Sequence, residues 1–418
     1  MNAAWYDLRD IGNPVAALLD WAGRWGPGWL AYVLSGLIGA AAIGAFLGLT
    51  MLVLIWVERR AIGRLQIRLG PNRVGPFGLL QPVADALKLL QKEALRPEGA
   101  DPLLFLLPPI LIFIPVVLTF GVLPFGRLMT VANLNVGVLY IISVGSAVPI
   151  MVFIAGWSSN NKYSLLGAMR IIAMAISYEL PMVLALLAVV VLAGTMDLNG
   201  VVAWQAAHHA LVVLLLPLGA AIYFISASAE LNRTPVDIAE AESELGAGYH
   251  TEYSGMRFGL FYAVELANGL AVSGILATLF VGGWWFYGLE QLIPNWLIFL
   301  GKMGLFYMLL VWTRGTLPRL RIDQLLGFAW KFLMPLALIN VLLVGLEVAV
   351  WQQSGLSAGI VLPVAAVINW LLAGFLIVMY SNVWGGKALR PQRPRVFYDL
   401  GDQPALETLQ PNQRATGT

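Results

Sequence analysis

The sequence predicts an all-α polytopic membrane protein, and three observations carry that reading. Hydrophobic residues make up 59% of the 418 residues and charged ones 11%, well under the roughly 25% charge of a soluble domain. Apolar runs long enough to cross a bilayer as helices recur along the whole length. Of the 25 basic residues, 21 fall on alternate connections and in the C-terminal segment. Cysteine is absent, which excludes disulfides, thiolate metal sites and an iron–sulfur cluster held by this chain. Three histidines argue against a haem or metal cluster as well. The opening MNAAWYDLRD has neither a basic n-region nor a cleavage pattern, so no signal peptide is expected.

Nine spans are expected, at 29–57, 103–123, 136–157, 170–193, 210–229, 258–281, 296–313, 330–351 and 358–383. They form one membrane domain over 1–383, followed by a polar tail, 384–418, rich in Pro and Gln. The basic side gathers Arg59 to Arg96, then Lys162, Arg170, Arg233, Arg257, Arg314, Arg319, Arg321, Lys331 and the tail. The other side holds only Arg9, Arg24 and Arg127. This asymmetry places the basic loops and the C-terminus in the cytoplasm and the N-terminus outside. Residues 58–75 form a basic loop punctuated by Gly and Pro, and 77–93 form an amphipathic helix lying at the interface or on a partner. In the first span Gly36, Ala40, Gly44 and Gly48 make a stripe of small residues on which another helix would pack closely.

The most informative segment runs from Glu230 to Glu252. It places six carboxylates in 23 residues: Glu230, Asp237, Glu240, Glu242, Glu244 and Glu252, with Arg233 among them. In helical form Asp237, Glu240 and Glu244 share one face, and like charges so close raise one another's proton affinity. An ordinary charge run would be a solvated face, but intramembrane acids flank this one. Glu179 falls about ten residues into the fourth span, where insertion of a charge costs about 2.5–3.5 kcal/mol, and Pro181 opens the backbone nearby. Glu265 lies two turns into the sixth span. Lys302, in the seventh, is expected to pair with a buried carboxylate or to tune one. Glu58 reads as an interfacial partner of Arg59 or Arg60, and Glu347 as an acid reaching the interface.

Four motifs carry a resemblance. Glu58-Arg-Arg…Gln66-Ile-Arg-Leu-Gly-Pro-Asn-Arg-Val-Gly-Pro76 is followed by Gly78-Leu-Leu-Gln-Pro-Val-Ala-Asp-Ala-Leu-Lys88. Then come Asn232-Arg…Ala239-Glu-Ala-Glu-Ser-Glu-Leu with Tyr249-His-Thr-Glu-Tyr-Ser-Gly-Met, and Arg314-Gly-Thr-Leu-Pro-Arg-Leu-Arg-Ile-Asp-Gln-Leu. In this order, over about residues 30–345, they resemble the quinone-channel subunit of respiratory complex I, the proton-translocating NADH:quinone oxidoreductase.

The resemblance implies a non-redox subunit that forms much of the chamber admitting a lipid quinone and links quinone reduction to proton movement. It implies no catalytic residue and no cofactor on this chain, with iron–sulfur clusters, FMN and the NADH site on partner subunits. The implied partners are the hydrophilic quinone-site subunits and the adjacent membrane subunits, with no nucleic acid, in a bacterial inner (plasma) membrane. Glu58, Arg59, Arg64, Arg68 and Arg73 match the channel segment; Glu179, Glu230, Glu240, Glu242, Glu244 and Glu265 match the acidic path. Asp237 and Lys302 join the latter from the residue reading above.

Two departures stand out. Pro235-Val-Asp-Ile-Ala-Glu-Ala-Glu242 replaces the family's Pro-Phe-Asp-Xaa-Pro-Glu-Ala-Glu, which reshapes the loop. The ninth span and tail extend beyond the shorter, eight-span members. Two alternatives stay open: a homologous subunit of a membrane-bound hydrogenase or other non-NADH dehydrogenase, and a stand-alone proton or cation transporter.

Overall fold

The computed structural model describes residues 28–388 apart from 128, 234, 235 and 239–245. Among them there is no strand, and eight helical stretches are long and apolar enough to cross a membrane. The first is α1, Gly28–Leu65. Its inward stripe is Ile43, Leu47, Met51 and Leu54, all buried. The small-residue stripe points elsewhere: a Cβ added at Gly36, Gly44 or Gly48 would meet nothing within 4 Å. No described helix packs there, because the larger side chains on the opposite face carry the contact instead.

After α1 the basic loop leads through a 3₁₀ turn, Pro76–Gly78, into α2, Gln81–Gln91. This is the expected amphipathic helix, with Leu80, Leu87 and Leu90 still more than half exposed. The second span is two helices, α3 (Pro102–Leu111) and α4 (Phe113–Val122), with Pro108 and Pro109 ahead of the break. The third is likewise split, at Ser146, into α5 (Gly137–Gly145) and α6 (Ala147–Ser158). α7, Lys162–Ala193, starts at an Asn161 cap and ends where Gly194 turns left-handed at φ 68°. It begins eight residues before the expected boundary, since Lys162 and Arg170 ride on its first turns outside the apolar run.

An unforeseen helix follows, α8, Leu198–His208, capped by Asp197. The fifth span is too interrupted to count among the eight. It is a short stub, α9 (Val212–Leu215), then α10 (Pro217–Glu230), because Pro217 has no N–H to continue the ladder. α11, Gly255–Phe280, is the central helix and the most deeply buried of the spans. α12 spans Asn295–Thr316. α13 (Ile322–Phe328), a π segment (Ala329–Leu333) and α14 (Met334–Ser354) make one continuous stretch. Gly355, at φ 63°, ends it and opens a short turn into α15, Ala358–Ala388. Among the described residues, those through Gly374 form one compact unit and those from Phe375 to Ala388 belong to a separate one. The tail beyond Ala388 lies outside the described residues.

The far end of the acidic loop is pinned to the helix ends. Ser164 Oγ donates to the Tyr249 carbonyl at 2.9 Å, and Asn161 Nδ2 donates to Glu252 at 2.6 Å. Tyr253 stacks on Phe105 with ring centroids 4.1 Å apart. His250 sits against the Tyr249 and Phe258 rings, and burial pushes its imidazole down to about 4. The folded loop therefore holds His250 neutral where the unfolded chain binds a proton. Its contribution is complete above about pH 6.5 and is lost at roughly 1.4 kcal/mol per pH unit as pH falls toward 4. Hydrogen-exchange protection over 246–254, relative to the free-chain rate at each pH, is expected to fall between pH 6.5 and 4.5, and His250→Phe is expected to flatten that fall. Gly78, at φ 77°, has the Pro71 carbonyl oxygen 2.3 Å from where a Cβ would stand. Gly78→Ala is expected to cost roughly 1–3 kcal/mol, read as a lower thermal midpoint with the loop at 70–80 more open to proteolysis.

A buried ion network beside a basic hollow

Glu58 continues the inward stripe of α1, one turn beyond Leu54, and it is 3% exposed. Its partners are not Arg59 or Arg60. Arg314 Nη1, from the last turn of α12, donates to Oε1 at 2.5 Å, and Tyr307 Oη donates to Oε2 at 2.9 Å. Arg233 Nη2 lies 3.7 Å from Oε2. The neighbours along the chain point away because α1 puts them on other faces. Arg59 pairs with Asp85 of α2 at 2.6 Å, and Arg60 donates to the Phe77 carbonyl while lying over the Trp56 and Phe77 rings. At Asp85, burial is the largest single influence and raises proton affinity, but the Arg59 and Gln81 hydrogen bonds and the Arg59 and Lys88 charges together outweigh it and hold the carboxyl below its usual range.

Arg233 joins the network to α11. Its Nε is 3.5 Å from Glu265 Oε1, and Arg314 Nη1 is 3.7 Å from the same oxygen. Two carboxylates from different spans thus share two guanidinium groups, one of them only 1% exposed. Room for Arg233 exists because Gly269, one turn after Glu265, has no side chain. A Cβ there would stand 3.5 Å from the guanidinium carbon and 3.2 Å from the Tyr307 ring. Burial opposes the charge on Arg233, but Tyr307, Glu58 and Glu265 more than offset it, so the guanidinium holds its proton firmly. A few residues on, Asp237 accepts from Arg319 Nη2 at 2.7 Å.

A second polar group gathers at the break in the third span. Ser146 Oγ donates to Glu179 of α7. Glu230, at the end of α10, has Oε1 4.0 Å from where a Gly145 Cβ would stand. Glu230 lines a cavity of about 90 Å³ together with Gly145, Tyr223, Asn232 and Asn268, and Ser146 and Glu179 stand outside its lining. It is large enough to admit water.

Lys302 belongs to neither group. Its ammonium donates to the carbonyls of Val281, Gly283 and Trp285 at 2.7, 2.9 and 2.6 Å. The expected carboxylate partner is replaced by backbone, because α12 runs antiparallel to α11 and brings Lys302 to the α11 C-terminus, far from Glu265. Glu347 does not reach out to solvent; its Oε2 accepts from Asn369 Nδ2 of α15 at 3.0 Å. Glu240, Glu242 and Glu244 lie outside the described residues.

Around the C-terminal turns of α1 the surface is hollowed. One recess of about 440 Å³ is lined by Trp56, Arg60, Arg64, Phe77, Leu79 and Met308 among others. A second, of about 250 Å³, is lined by Arg60, Arg64, Arg68 and residues 69–72. Arg64 and Arg68 are thus brought to the hollow, whereas Arg59 faces Asp85 and Arg73 lines neither recess. Arg60 lines both, a role that the sequence reading does not give it. Its position one turn after Trp56 is the available signal.

Helices long enough to cross a bilayer, with charge buried between them and an open basic recess at one end, define a multi-span membrane protein built around an ion network. The family model for NADH dehydrogenase matches residues 38–345. The H subunit of NADH-quinone oxidoreductase from Dehalococcoides mccartyi (strain CBDB1) is 48% identical over 342 residues, covering 82% of this chain and 94% of the relative. The protein of the same name from Carboxydothermus hydrogenoformans is 46% identical, with 76% and 90% covered. One of the numbered H subunits of NADH-quinone oxidoreductase from Geobacter metallireducens is 48% identical, with 70% and 90% covered. The chain belongs to the NADH dehydrogenase family.

Removing one partner from a buried ion pair leaves an uncompensated charge, at about 3–5 kcal/mol. Arg233→Ala is accordingly expected to lower the thermal midpoint of the purified protein far more than Arg59→Ala, whose pair is exposed.

Proposed function

We propose that this chain is the membrane subunit of a quinone-reducing, proton-translocating oxidoreductase, in keeping with the names of its relatives. It forms the access path for the lipid quinone and transmits its reduction to intramembrane acids. The observation that carries this is the junction on α1: Arg60, on the wall of the basic recess, is two residues from Glu58 at the centre of the buried network. A quinone is a polar head on an isoprenoid tail, and this recess joins the aromatic and aliphatic side chains of Trp56, Phe77, Leu79 and Met308 to Arg60 and Arg64. A change of charge there acts on Glu58 across the width of α1, and through α12, where Met308 of the recess adjoins Tyr307, the donor to Glu58.

From Glu58 the network passes through Arg233 to Glu265. Glu179 and Glu230 meet at the break in the third span, and Asp237 is the first acid of the loop that continues through Glu240, Glu242 and Glu244. These acids exchange protons in step with quinone reduction. In this reading Lys302 supports the fold at the opposite end. The basic end faces the cytoplasm and redox centres sit on partner subunits, so the isolated chain has no activity. The relatives' name favours an NADH donor over a hydrogenase-type complex.

In the assembled complex Glu179→Gln is expected to lower quinone reduction and the proton gradient together by about a hundredfold, the lower end of the loss typical of a positioned proton-transfer group. Normal turnover and pumping would sink that role. Arg64→Ala is expected to raise the apparent KM for quinone several-fold, while Arg73→Ala, away from both recesses, changes it less. The purified chain in liposomes is expected to conduct no protons; conduction would favour a stand-alone transporter.

A further inference from the structure

Asn369 and Trp370 are neighbours on α15, beyond the residues 38–345 that the family model matches. Each reaches a polar group in the apolar part of another span. Trp370 Nε1 donates to the Leu214 carbonyl at 3.0 Å, and Asn369 Nδ2 donates to Glu347 Oε2 at 3.0 Å.

The Leu214 carbonyl has a specific need of a donor. It lies in the stub α9, just ahead of the break, where Pro217 has no N–H and Leu216 leaves the helix at φ −124°, ψ 65°. The backbone bonds around the break run from Leu216 N to Val212 O and from Ala220 N to Leu216 O, bypassing Leu214. Leu214 is also 50% exposed, on a surface where water is not available to serve an unmet carbonyl. The stub is held on its other side by Gln205 of α8. That side chain accepts from Val212 N and donates to the Thr278 and Leu279 carbonyls, each at 3.2 Å.

We propose that Asn369 and Trp370 form a clamp that fixes the break in the fifth span and so positions α10. Trp370 holds the stub to α15, and Asn369 holds that part of α15 to Glu347 of α14. Beyond the break, α10 carries Tyr223, Ser226 and Glu230 along one stripe and then runs into Arg233. A helix of 14 residues is a lever about 20 Å long, so a 5° tilt at the break displaces Glu230 by about 2 Å. That is enough to separate it from Gly145 and the Ser146–Glu179 contact. Asn369 and Trp370 are positioning residues and touch no substrate. Leucine at both places would have packed against the same apolar neighbours without serving either polar group.

The consequence for turnover rests on the quinone-reducing reading; the clamp itself does not. The test uses the whole membrane complex with Trp370→Phe, which keeps a ring but loses the N–H, and separately Asn369→Leu. Backbone hydrogen exchange is followed over 212–220, with kcat, KM for quinone and protons moved per quinone. Trp370→Phe is expected to speed exchange at the break by about tenfold, the worth of one hydrogen bond. It is expected to lower kcat and the proton yield by about threefold with KM unchanged, as for a residue that acts through another. Asn369→Leu is expected to do the same more weakly, and it carries the test if Trp370→Phe fails to assemble. Glu347→Gln, which keeps an acceptor for Asn369, is expected to behave as wild type in exchange at the break.

Unchanged exchange in both variants would overturn the clamp. Faster exchange with unchanged kcat and proton yield would overturn the positioning of α10. A wild-type complex that reduces no quinone would count against the proposed function alone, since the exchange data still judge the clamp.

Discussion

The guanidinium of Arg233 is the constraint on which the centre of this protein depends. It comes from the loop after α10, lies 1% exposed, and stands between an acid of α1 and an acid of α11. An arginine so placed must be paired, or the loop would leave the membrane-facing interior altogether. Its presence therefore fixes the approach of α1, α11 and α12. Tyr307 and Arg314 lie two turns apart on one face of α12, and both reach Glu58. Gly269 is the empty volume that lets the guanidinium in. Four elements are held together by polar contacts, where apolar packing alone would allow several sliding registers.

The irregular points in the spans belong with the polar groups. The third span breaks at Ser146, which serves Glu179; the fifth breaks ahead of α10, whose end carries Glu230. The π segment at 329–333 packs against α7 close to the same acid. Trp330 Nε1 donates to Ser177 Oγ at 3.1 Å, and Tyr178 donates to the Leu325 carbonyl at 2.9 Å. Regular helices satisfy their own backbone and have nothing to offer an intramembrane carboxyl. Broken ones release donors, acceptors and space, and here they do so beside Glu179 and Glu230.

The spans are legible in the sequence because each apolar run has to match the bilayer, and length is a strong signal. The breaks inside them are marked only by prolines: Pro217 in the fifth, Pro149 just after Ser146, and Pro108, Pro109 and Pro115 around Ile112, and a proline in an apolar run does not tell a kinked helix from a split one. Glu58 reads as a partner of the wrong arginines for a related reason. Adjacent residues on a helix point about 100° apart, so the nearest charges along the chain are poor candidates for partners. Its continuation of the Ile43, Leu47, Met51, Leu54 stripe is the better guide, pointing inward. Arg233 and Arg314 stand 175 and 256 positions away and come near only through tertiary packing. The small residues of α1 read as a packing seam, yet small size marks where a helix is thin and says nothing of which neighbour comes near.

At the far end of the molecule, three carbonyls converge on Lys302 from the chain just past α11. An ammonium group presents three donors at tetrahedral angles from a single atom, and so fills a pyramidal cup of oxygens. A guanidinium is flat and spreads its donors over three nitrogens, so an arginine at 302 could address this cup only in part. The residue that reads in sequence as the partner or tuner of a buried carboxylate is, by shape, a capstone: it closes the end of the central helix and ties it to α12.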